Sequence, residues 1–258
     1  MTAALSRLNF RDLGGLPAGD GCRTRSGLVY RSEGPASFTD EHAPELDALG
    51  FRTVCDLRSE GERESAPHRW CGPDCRVLAL DLNHDLRAQG GDIWDTLRAD
   101  ASGANARQVM VENSGHMPGA LLPHWRALVD ALLGGETPLM IHCTAGKDRT
   151  GVAVALLLAL VGVGEADILA DYGRSDVFAR NMRMVGSIDE SFMDSFGFVP
   201  SPAAIEFLVG VHPDFLRAAL DAVAAEWGSV AGYFMAAGVG PAEQARLRAM
   251  LLEPVGGE

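Results

Sequence analysis

A cysteine and an arginine within one short segment are the side chains of this chain best suited to chemistry on an anion. The segment reads His142-Cys143-Thr144-Ala145-Gly146-Lys147-Asp148-Arg149-Thr150-Gly151. A cysteine thiolate is a nucleophile, and a guanidinium presents a planar fork of N–H groups that matches two phosphate oxygens. The pattern therefore predicts that Cys143 and Arg149 belong to one phosphate-binding loop.

The segment lies between a predicted strand and a predicted helix. Residues 138–142 form a strand-like apolar run, and the apolar run 152–163 has the length of a helix. Ligands of α/β sheets bind beyond the carboxyl ends of strands, and the first N–H groups of a helix favour anions because they lack intrahelical partners. The same positive field favours the thiolate form of Cys143.

Further motifs accompany this segment. They are Asn9-Phe10-Arg11-Asp12-Leu13-Gly14-Gly15, Tyr30-Arg31-Ser32, Asp56-Leu57-Arg58-Ser59, Ala170-Asp171-Tyr172, and Gly228-Ser229 with Gly238. The ordered set resembles the atypical bacterial protein tyrosine phosphatases, which are cysteine-dependent tyrosine and lipid phosphatases. A nucleotide P-loop is excluded, because that motif requires Gly at position 141 and Ser or Thr at position 148, where this chain has Ile141 and Asp148.

The resemblance implies a two-step displacement on a phosphomonoester. Cys143 attacks phosphorus to form a phosphocysteine, which water then hydrolyses, while Arg149 and the loop N–H groups hold the oxygens. Thr150 would donate a hydrogen bond to the Cys143 sulfur, and His142 would order the loop. The substrate-binding residues expected on this basis are Thr144, Ala145, Gly146, Lys147, Asp148 and Thr150.

The proton donor to the leaving group is the least defined part of the pattern. No Trp in this chain is followed by Pro-Asp, the segment that carries the acid in receptor-type relatives. The resemblance to the bacterial enzymes implies an acid in the loop after an earlier strand, and Asp81, which ends the predicted strand 76–81, occupies the comparable place. Asp85, Asp95 and Asp148 are the competing candidates.

Two substrate classes and one non-catalytic role follow from the pattern. A phosphotyrosine-containing protein is the expected substrate, with phosphoserine or phosphothreonine activity as an addition, and phosphate analogues are expected to inhibit. Lys147 beside Asp148 resembles loops that accept phosphoinositides, although a solvent-exposed lysine is the simpler interpretation. A catalytically silent phosphate-binding module is the third possibility.

Composition limits the partners and the location of the chain. The net charge of −13 over 258 residues disfavours nucleic-acid binding. The five cysteines do not indicate a disulfide framework. His68, Cys71 and Cys75 lack a second ligand cluster at zinc spacing, so no metal or other cofactor is expected.

No apolar leader or membrane-length run is visible, which predicts a cytoplasmic protein without stable membrane insertion.

Strand signals come early in the chain and helix signals come late. This order predicts a single α/β domain over residues 1–258, with a largely parallel sheet flanked by helices and a helical C-terminal part. The charged run 58–64 indicates a solvated helix start. The polar run 83–113 indicates a flexible insert with short helices. Residues 178–198 carry Met and Phe at helical spacing, which predicts either a helix packed on the core or a hydrophobic lid or acyl-facing wall over the site.

Overall fold

Parallel strands place the Cys143 segment at one edge of a central sheet. The computed structural model describes residues 4–72, 74–82, 92–186 and 188–255. The central sheet contains β1 (Arg11–Asp12), β4 (Val29–Ser32), β5 (Thr53–Asp56), β6 (Arg76–Ala79) and β7 (Leu139–His142). Its order is β1-β4-β7-β5-β6, with β7 parallel to both neighbours and β1 antiparallel at the edge. The carboxyl ends of the four parallel strands therefore meet at the edge where Cys143 lies.

A second, three-stranded sheet joins the two ends of the described chain. It contains β2 (Pro17–Ala18), β3 (Cys22–Thr24) and β8 (Leu252–Pro254), in the order β2-β3-β8. The sequence patterns did not predict this sheet, because strands this short show no usable alternation of apolar and polar residues.

Helices cover the central sheet and account for most of the described chain outside the strands and loops. They are α1 (Ala43–Leu49), α2 (Glu60–Ser65), α3 (Asp92–Ala99), α4 (Ala104–Leu121), α5 (Trp125–Leu133), α6 (Asp148–Val161), α7 (Glu165–Gly173), α8 (Val177–Val185), α9 (Ile188–Phe196), α10 (Pro202–Val209), α11 (Pro213–Trp227), α12 (Val230–Ala236) and α13 (Pro241–Leu251). Within the described residues, none of these helices combines the length and the apolar content needed to cross a bilayer.

The three middle strands of the central sheet, β4, β7 and β5, are buried on both faces. Leu139 and Ile141 of β7 belong to the larger core, which also contains most of α6. Met140, between them, belongs to a second core with Tyr30 and Val54, since side chains of a strand alternate between faces. The helix that follows the loop is apolar all round because it is surrounded by protein.

The predicted α/β fold with a largely parallel sheet and a helical C-terminal part is confirmed. The strands predicted at 28–30, 51–57, 76–81 and 138–142 are present with shifted boundaries. The helix predicted at 120–133 is the end of α4 followed by α5, and the two are separated by a short turn that contains Pro123.

The flexible insert with short helices predicted over residues 83–113 was only partly right, because α3 (Asp92–Ala99) is a short helix but the last part of the insert belongs to a long one. Residues 104–121 form the long helix α4, whose buried side includes Asn113 and Ser114 as well as Met110 and Met117. These polar residues on the buried face obscured the apolar period. Residues 83–91 lie outside the described part of the chain.

Candidate active site

The loop after β7 places the predicted nucleophile and the predicted phosphate-binding arginine on one cavity. Cys143 follows β7 directly, and α6 begins at Asp148. Cys143 and Arg149 are only 3% and 5% exposed, and both line a cavity of about 250 Å³. The shared cavity lets one ligand contact both side chains.

The backbone of the loop is oriented for an anion. Within the described residues, the N–H groups of residues 144–147 donate to no protein acceptor, and the first N–H groups of a helix have no partner within it. In contrast, the carbonyls of Thr144, Ala145 and Gly146 all accept hydrogen bonds from outside the loop. A row of unsatisfied N–H groups next to a helix start is a binding site for phosphate.

Two glycines allow this loop to form. Gly146 has φ +68°, and a Cβ there would lie 2.3 Å from the Ser32 carbonyl oxygen. Gly151 lies in the first turn of α6, and a Cβ there would lie 2.7 Å from the Tyr172 ring. Any larger residue at either position would push the loop or α6 away from the neighbouring element.

The Arg149 guanidinium is held by a glutamate that the sequence patterns did not assign to the site. Glu62 Oε2 lies 2.5 Å from Arg149 Nη1, and Glu62 Oε1 lies 2.7 Å from Nη2. The Thr144 hydroxyl also donates to Glu62 Oε1, at 2.6 Å. Burial raises the pKa of Glu62, but the hydrogen bonds and charge of Arg149 outweigh it and hold that pKa well below its usual range. Glu62 is therefore a carboxylate that fixes the arginine fork.

The prediction that residues 58–64 are a solvated helix start was wrong for two of its side chains. Ser59 and Glu62 form a capping box at the start of α2, and this Ser-x-x-Glu signature is visible in the sequence. Arg58 is 1% exposed and makes a bidentate ion pair with Asp56. Tertiary packing turns Glu62 and Arg58 inward, which the charge pattern alone did not show.

His142 lies under the loop in a buried polar cluster. Its Nδ1 is 2.9 Å from the Cys143 carbonyl oxygen, so that nitrogen carries the proton and donates. Its Nε2 is 3.7 Å from Asp56 Oδ2, and His68 Nε2 is 2.9 Å from the same oxygen. Burial lowers the pKa of His142 to about 4, against the opposing charge of Asp56. This neutral histidine fits the predicted loop-ordering role.

The same cluster is the arrangement among the described residues that comes nearest to a metal site. Asp56, His68 and His142 have ligand atoms within 4.8 Å of one another. However, the guanidinium of Arg58 already pairs with Asp56, and a cation bound there would face that positive charge in a buried place. The cluster is better described as an ion-pair network that supports the loop.

The other predicted substrate-binding residues are only partly brought to the cavity. Thr144, Ala145, Lys147 and Asp148 line it. Lys147 is 4% exposed and pairs with Asp148 at 2.9 Å, so the solvent-exposed interpretation of this lysine was wrong. The Thr150 hydroxyl is buried and has no hydrogen-bond partner among the described residues. The predicted hydrogen bond from Thr150 to the Cys143 sulfur is thus not formed.

The candidate acids lie in three different environments. Asp81 follows β6 in a left-handed backbone conformation, φ 46°, and its carboxylate accepts from the Glu60 N–H at 2.7 Å and from Arg63 at 3.3 Å. Asp148 lines the cavity. Asp95 is 74% exposed and pairs with Arg98, away from the loop. Asp85 lies outside the described residues.

Segment 178–198 forms two helices, α8 and α9, rather than one. The chain turns between them at Gly186, φ +68°. Phe178 and Met182 of α8 and Phe192 and Phe196 of α9 line the cavity. The same helices also pack in a small core with α10. The predicted packing on the core is therefore confirmed, and the segment also forms one wall of the cavity. Its role as a lid stays a prediction.

The comparison with known proteins agrees with this geometry. A profile of the tyrosine phosphatase family matches residues 4–253. The chain belongs to the tyrosine phosphatase family. A Cupriavidus necator protein assigned as a tyrosine-protein phosphatase is 36% identical over 229 residues, which cover 87% of this chain and 79% of that one. The triple specificity protein phosphatase PtpB of Mycobacterium tuberculosis is 30% identical over 285 residues, which cover 95% and 96%.

Membership of this family confirms the predicted enzyme class, a tyrosine phosphatase. In a tyrosine phosphatase, the cavity that contains Cys143 and Arg149 is the candidate active site. The roles of individual residues in it remain predictions.

The Glu62–Arg149 pair generates the first prediction. Glu62→Gln removes the charge that fixes the guanidinium, so kcat/KM for an aryl phosphate should fall by about 10- to 100-fold. Ser59→Ala is the matched control, because it weakens the same helix cap, at about 1 kcal/mol of unfolding free energy, and leaves the ion pair intact. Equal kcat/KM losses in the two variants would show that Glu62 acts only through α2.

Proposed function

We propose that this enzyme hydrolyses phosphotyrosine in proteins through a phosphocysteine at Cys143. The observation that carries the proposal is the shared cavity, which is lined by Cys143, by Arg149 and by loop residues whose backbone N–H groups have no acceptor among the described residues. Phosphoryl transfer depends mainly on positioning and electrostatic stabilisation of the phosphate oxygens, and these groups supply both.

The reaction follows from this geometry in two balanced steps. The Cys143 thiolate forms an S–P bond as the P–O bond to the substrate breaks, and the departing oxygen takes a proton from an acid. Water then attacks phosphorus and gives a proton back to the conjugate base of that acid, the S–P bond breaks, and inorganic phosphate and the thiolate are released. Throughout, Arg149 and the loop N–H groups hold the non-bridging oxygens.

The cavity walls favour an aromatic substrate group. Trp94 and Phe196 stack with ring centroids 3.9 Å apart, and both line the cavity with Phe178, Phe192 and Met182. A phosphotyrosine ring can pack against these aromatic faces when its phosphate contacts Arg149. Phosphoserine and phosphothreonine have no ring to fill the same space, so we expect them to be poorer substrates.

A phosphoinositide phosphatase is the second candidate. Lys147 lies on the cavity wall, where its ammonium could meet a second phosphate of an inositol ring, and PtpB is named for triple specificity. Against this, Asp148 already pairs with Lys147 and neutralises its charge. Turnover of phosphotyrosine peptides beside phosphoinositides decides between the two candidates.

The nucleophile and the fork provide the test of the proposed function. Cys143→Ser should abolish turnover of an aryl phosphate and retain binding of phosphate analogues, because the loop N–H groups and Arg149 remain. Arg149→Lys should also lose most activity, since one ammonium cannot replace a bidentate fork. Steady-state kinetics and calorimetric titration with phosphate measure both effects. Appreciable hydrolysis by Cys143→Ser would exclude the covalent mechanism.

The acid is tested by changing the leaving group. We propose Asp81 as the proton donor, because it follows a strand at the same sheet edge and its neighbour Leu82 has its carbonyl oxygen 3.5 Å from Arg149 Nη1. Asp148 lines the cavity, but its carboxylate is bound by Lys147 at 2.9 Å, a shorter ion pair than that of Asp81 with Arg63 at 3.3 Å. Asp81→Asn should slow phosphotyrosine by about 10²–10⁴-fold, should slow an activated aryl phosphate far less, and should flatten the alkaline limb of the pH profile.

Asp148→Asn is the comparison variant for this experiment. If Asp81→Asn slows both substrates equally and keeps a bell-shaped profile, Asp81 is structural. A selective loss on the poor leaving group in Asp148→Asn would then move the role to Asp148.

A further inference from the structure

Three consecutive backbone carbonyl oxygens of the phosphate-binding loop each accept a hydrogen bond from a donor outside the loop. The Thr144 oxygen accepts from the Gly34 N–H at 2.9 Å. The Ala145 oxygen accepts from the Asn9 side-chain amide at 2.8 Å, and the Gly146 oxygen accepts from Arg31 Nη2 at 2.8 Å. The carbonyl of one residue and the N–H of the next residue belong to one planar peptide group and point in opposite directions. A hydrogen bond that holds the carbonyl toward the protein interior therefore also directs that N–H toward the cavity.

The two side-chain donors are themselves held by a buried charged network. Asp171 accepts from Arg31 Nη1 at 2.7 Å and from Arg11 Nε at 2.6 Å. Arg11 Nη1 in turn donates to Asn9 Oδ1 at 2.9 Å, which leaves the Asn9 amide group to face Ala145. All four residues are 1–4% exposed. Asn9 and Arg31 therefore have little freedom to point anywhere else.

The network also places positive charge next to the loop, on the side where the loop carbonyls accept their hydrogen bonds. Two arginines share the single carboxylate of Asp171. Burial and the neighbouring Arg31 lower the pKa of Arg11 to about 10, which keeps Arg11 charged at neutral pH. A cation that donates to the Gly146 carbonyl polarises that peptide group, and hydrogen bonds in such a chain strengthen one another. The N–H group of Lys147 belongs to the same peptide unit and points the other way.

A purely structural role for this network would not require its donors to end on the loop. Arg11, Arg31 and Asp171 could join β1, β4 and α7 through ion pairs alone. Instead, one donor of Asn9 and one of Arg31 reach successive loop carbonyls. The sequence motifs around residues 9–15, 30–32 and 170–172, which the chemistry at Cys143 does not use directly, all contribute to this arrangement.

We propose that Asn9 and Arg31, held by Arg11 and Asp171, are positioning residues that turn the loop N–H groups toward the phosphate and strengthen them as donors. This role rests on the proposed function of the loop, and neither residue touches the substrate. Because the transition state places more demand on these donors than the bound phosphate does, the loss of either residue should weaken transition-state binding more than ground-state binding.

The test compares vanadate, which mimics the five-coordinate transition state, with inorganic phosphate. Asn9→Asp keeps the shape and the acceptor for Arg11 but removes the donor to Ala145. Arg31→Lys keeps the charge but cannot serve both Asp171 and Gly146. In each variant the inhibition constant for vanadate should rise by about 10- to 100-fold, and that for phosphate should rise several-fold less. The kcat value should fall with vanadate affinity, while KM changes little.

Tyr233→Phe is the matched control for lost stability. Its hydroxyl is buried and donates to the Pro118 carbonyl at 2.8 Å, in the helical part of the chain and not on the loop. It should lower the thermal midpoint and leave the vanadate-to-phosphate ratio unchanged. If Asn9→Asp fails to fold, Asn9→Ser and Arg31→Lys carry the same comparison.

Two outcomes separate this inference from the proposed function. If the parent enzyme turns over and Cys143→Ser does not, but the Asn9 and Arg31 variants behave like Tyr233→Phe, the positioning role is wrong and the covalent mechanism stands. Hydrolysis by Cys143→Ser, in contrast, would overturn the proposed function itself, whatever the Asn9 and Arg31 variants show.

Discussion

A loop that binds an anion with its N–H groups must find donors for its carbonyls elsewhere. When the peptide groups of residues 144–146 turn their N–H groups to the cavity, their carbonyl oxygens face the protein interior, where an unpaired acceptor is costly. The Gly34 N–H, Asn9 and Arg31 satisfy these three oxygens. The N-terminal region supplies all three donors, and Asp171 of α7 holds one of them, Arg31.

The charges around the cavity are nearly balanced by pairs of side chains. Arg149 pairs with Glu62, and Lys147 pairs with Asp148. The chain as a whole carries a net charge of −13, which repels phosphates at long range. Attraction for a phosphate must therefore come from the backbone N–H groups, from the start of α6, and from the positive charge that Arg11 and Arg31 leave behind the loop.

Sequence patterns brought the candidate site residues together because they lie on a continuous segment. The run from His142 to Gly151 carries the proposed nucleophile, the proposed phosphate-binding arginine and the helix start within one strand-loop-helix unit, and the flanking apolar runs predicted that unit. The family resemblance extended this to the fold and the enzyme class. The strand signals early in the chain and the helix signals late in it predicted one α/β domain with a helical C-terminal part.

The features of the site and fold that the sequence patterns did not predict depend on contacts between segments that are distant in the chain. Glu62 belongs to a visible capping box, but only packing decides that α2 turns it toward Arg149, 87 positions later in the chain. Similarly, nothing in the local pattern showed that Asn9 would reach the carbonyl of Ala145. The helix α4 was obscured for a related reason, because it buries Asn113 and Ser114 beside its apolar residues. The spacing of apolar residues predicts a helix only where the buried face of that helix is itself apolar.

The proposed roles of Cys143, Arg149 and the loop N–H groups are tested most directly by a crystal structure of the parent enzyme with vanadate bound. We predict that vanadium is bonded to the Cys143 sulfur and that its equatorial oxygens lie about 2.7–3.1 Å from the loop N–H groups and from the Arg149 guanidinium. We also predict that Asn9 and Arg31 keep their hydrogen bonds to the carbonyls of Ala145 and Gly146. Vanadate held without a bond to Cys143, or a loop whose carbonyls turn into the cavity, would contradict the proposed roles.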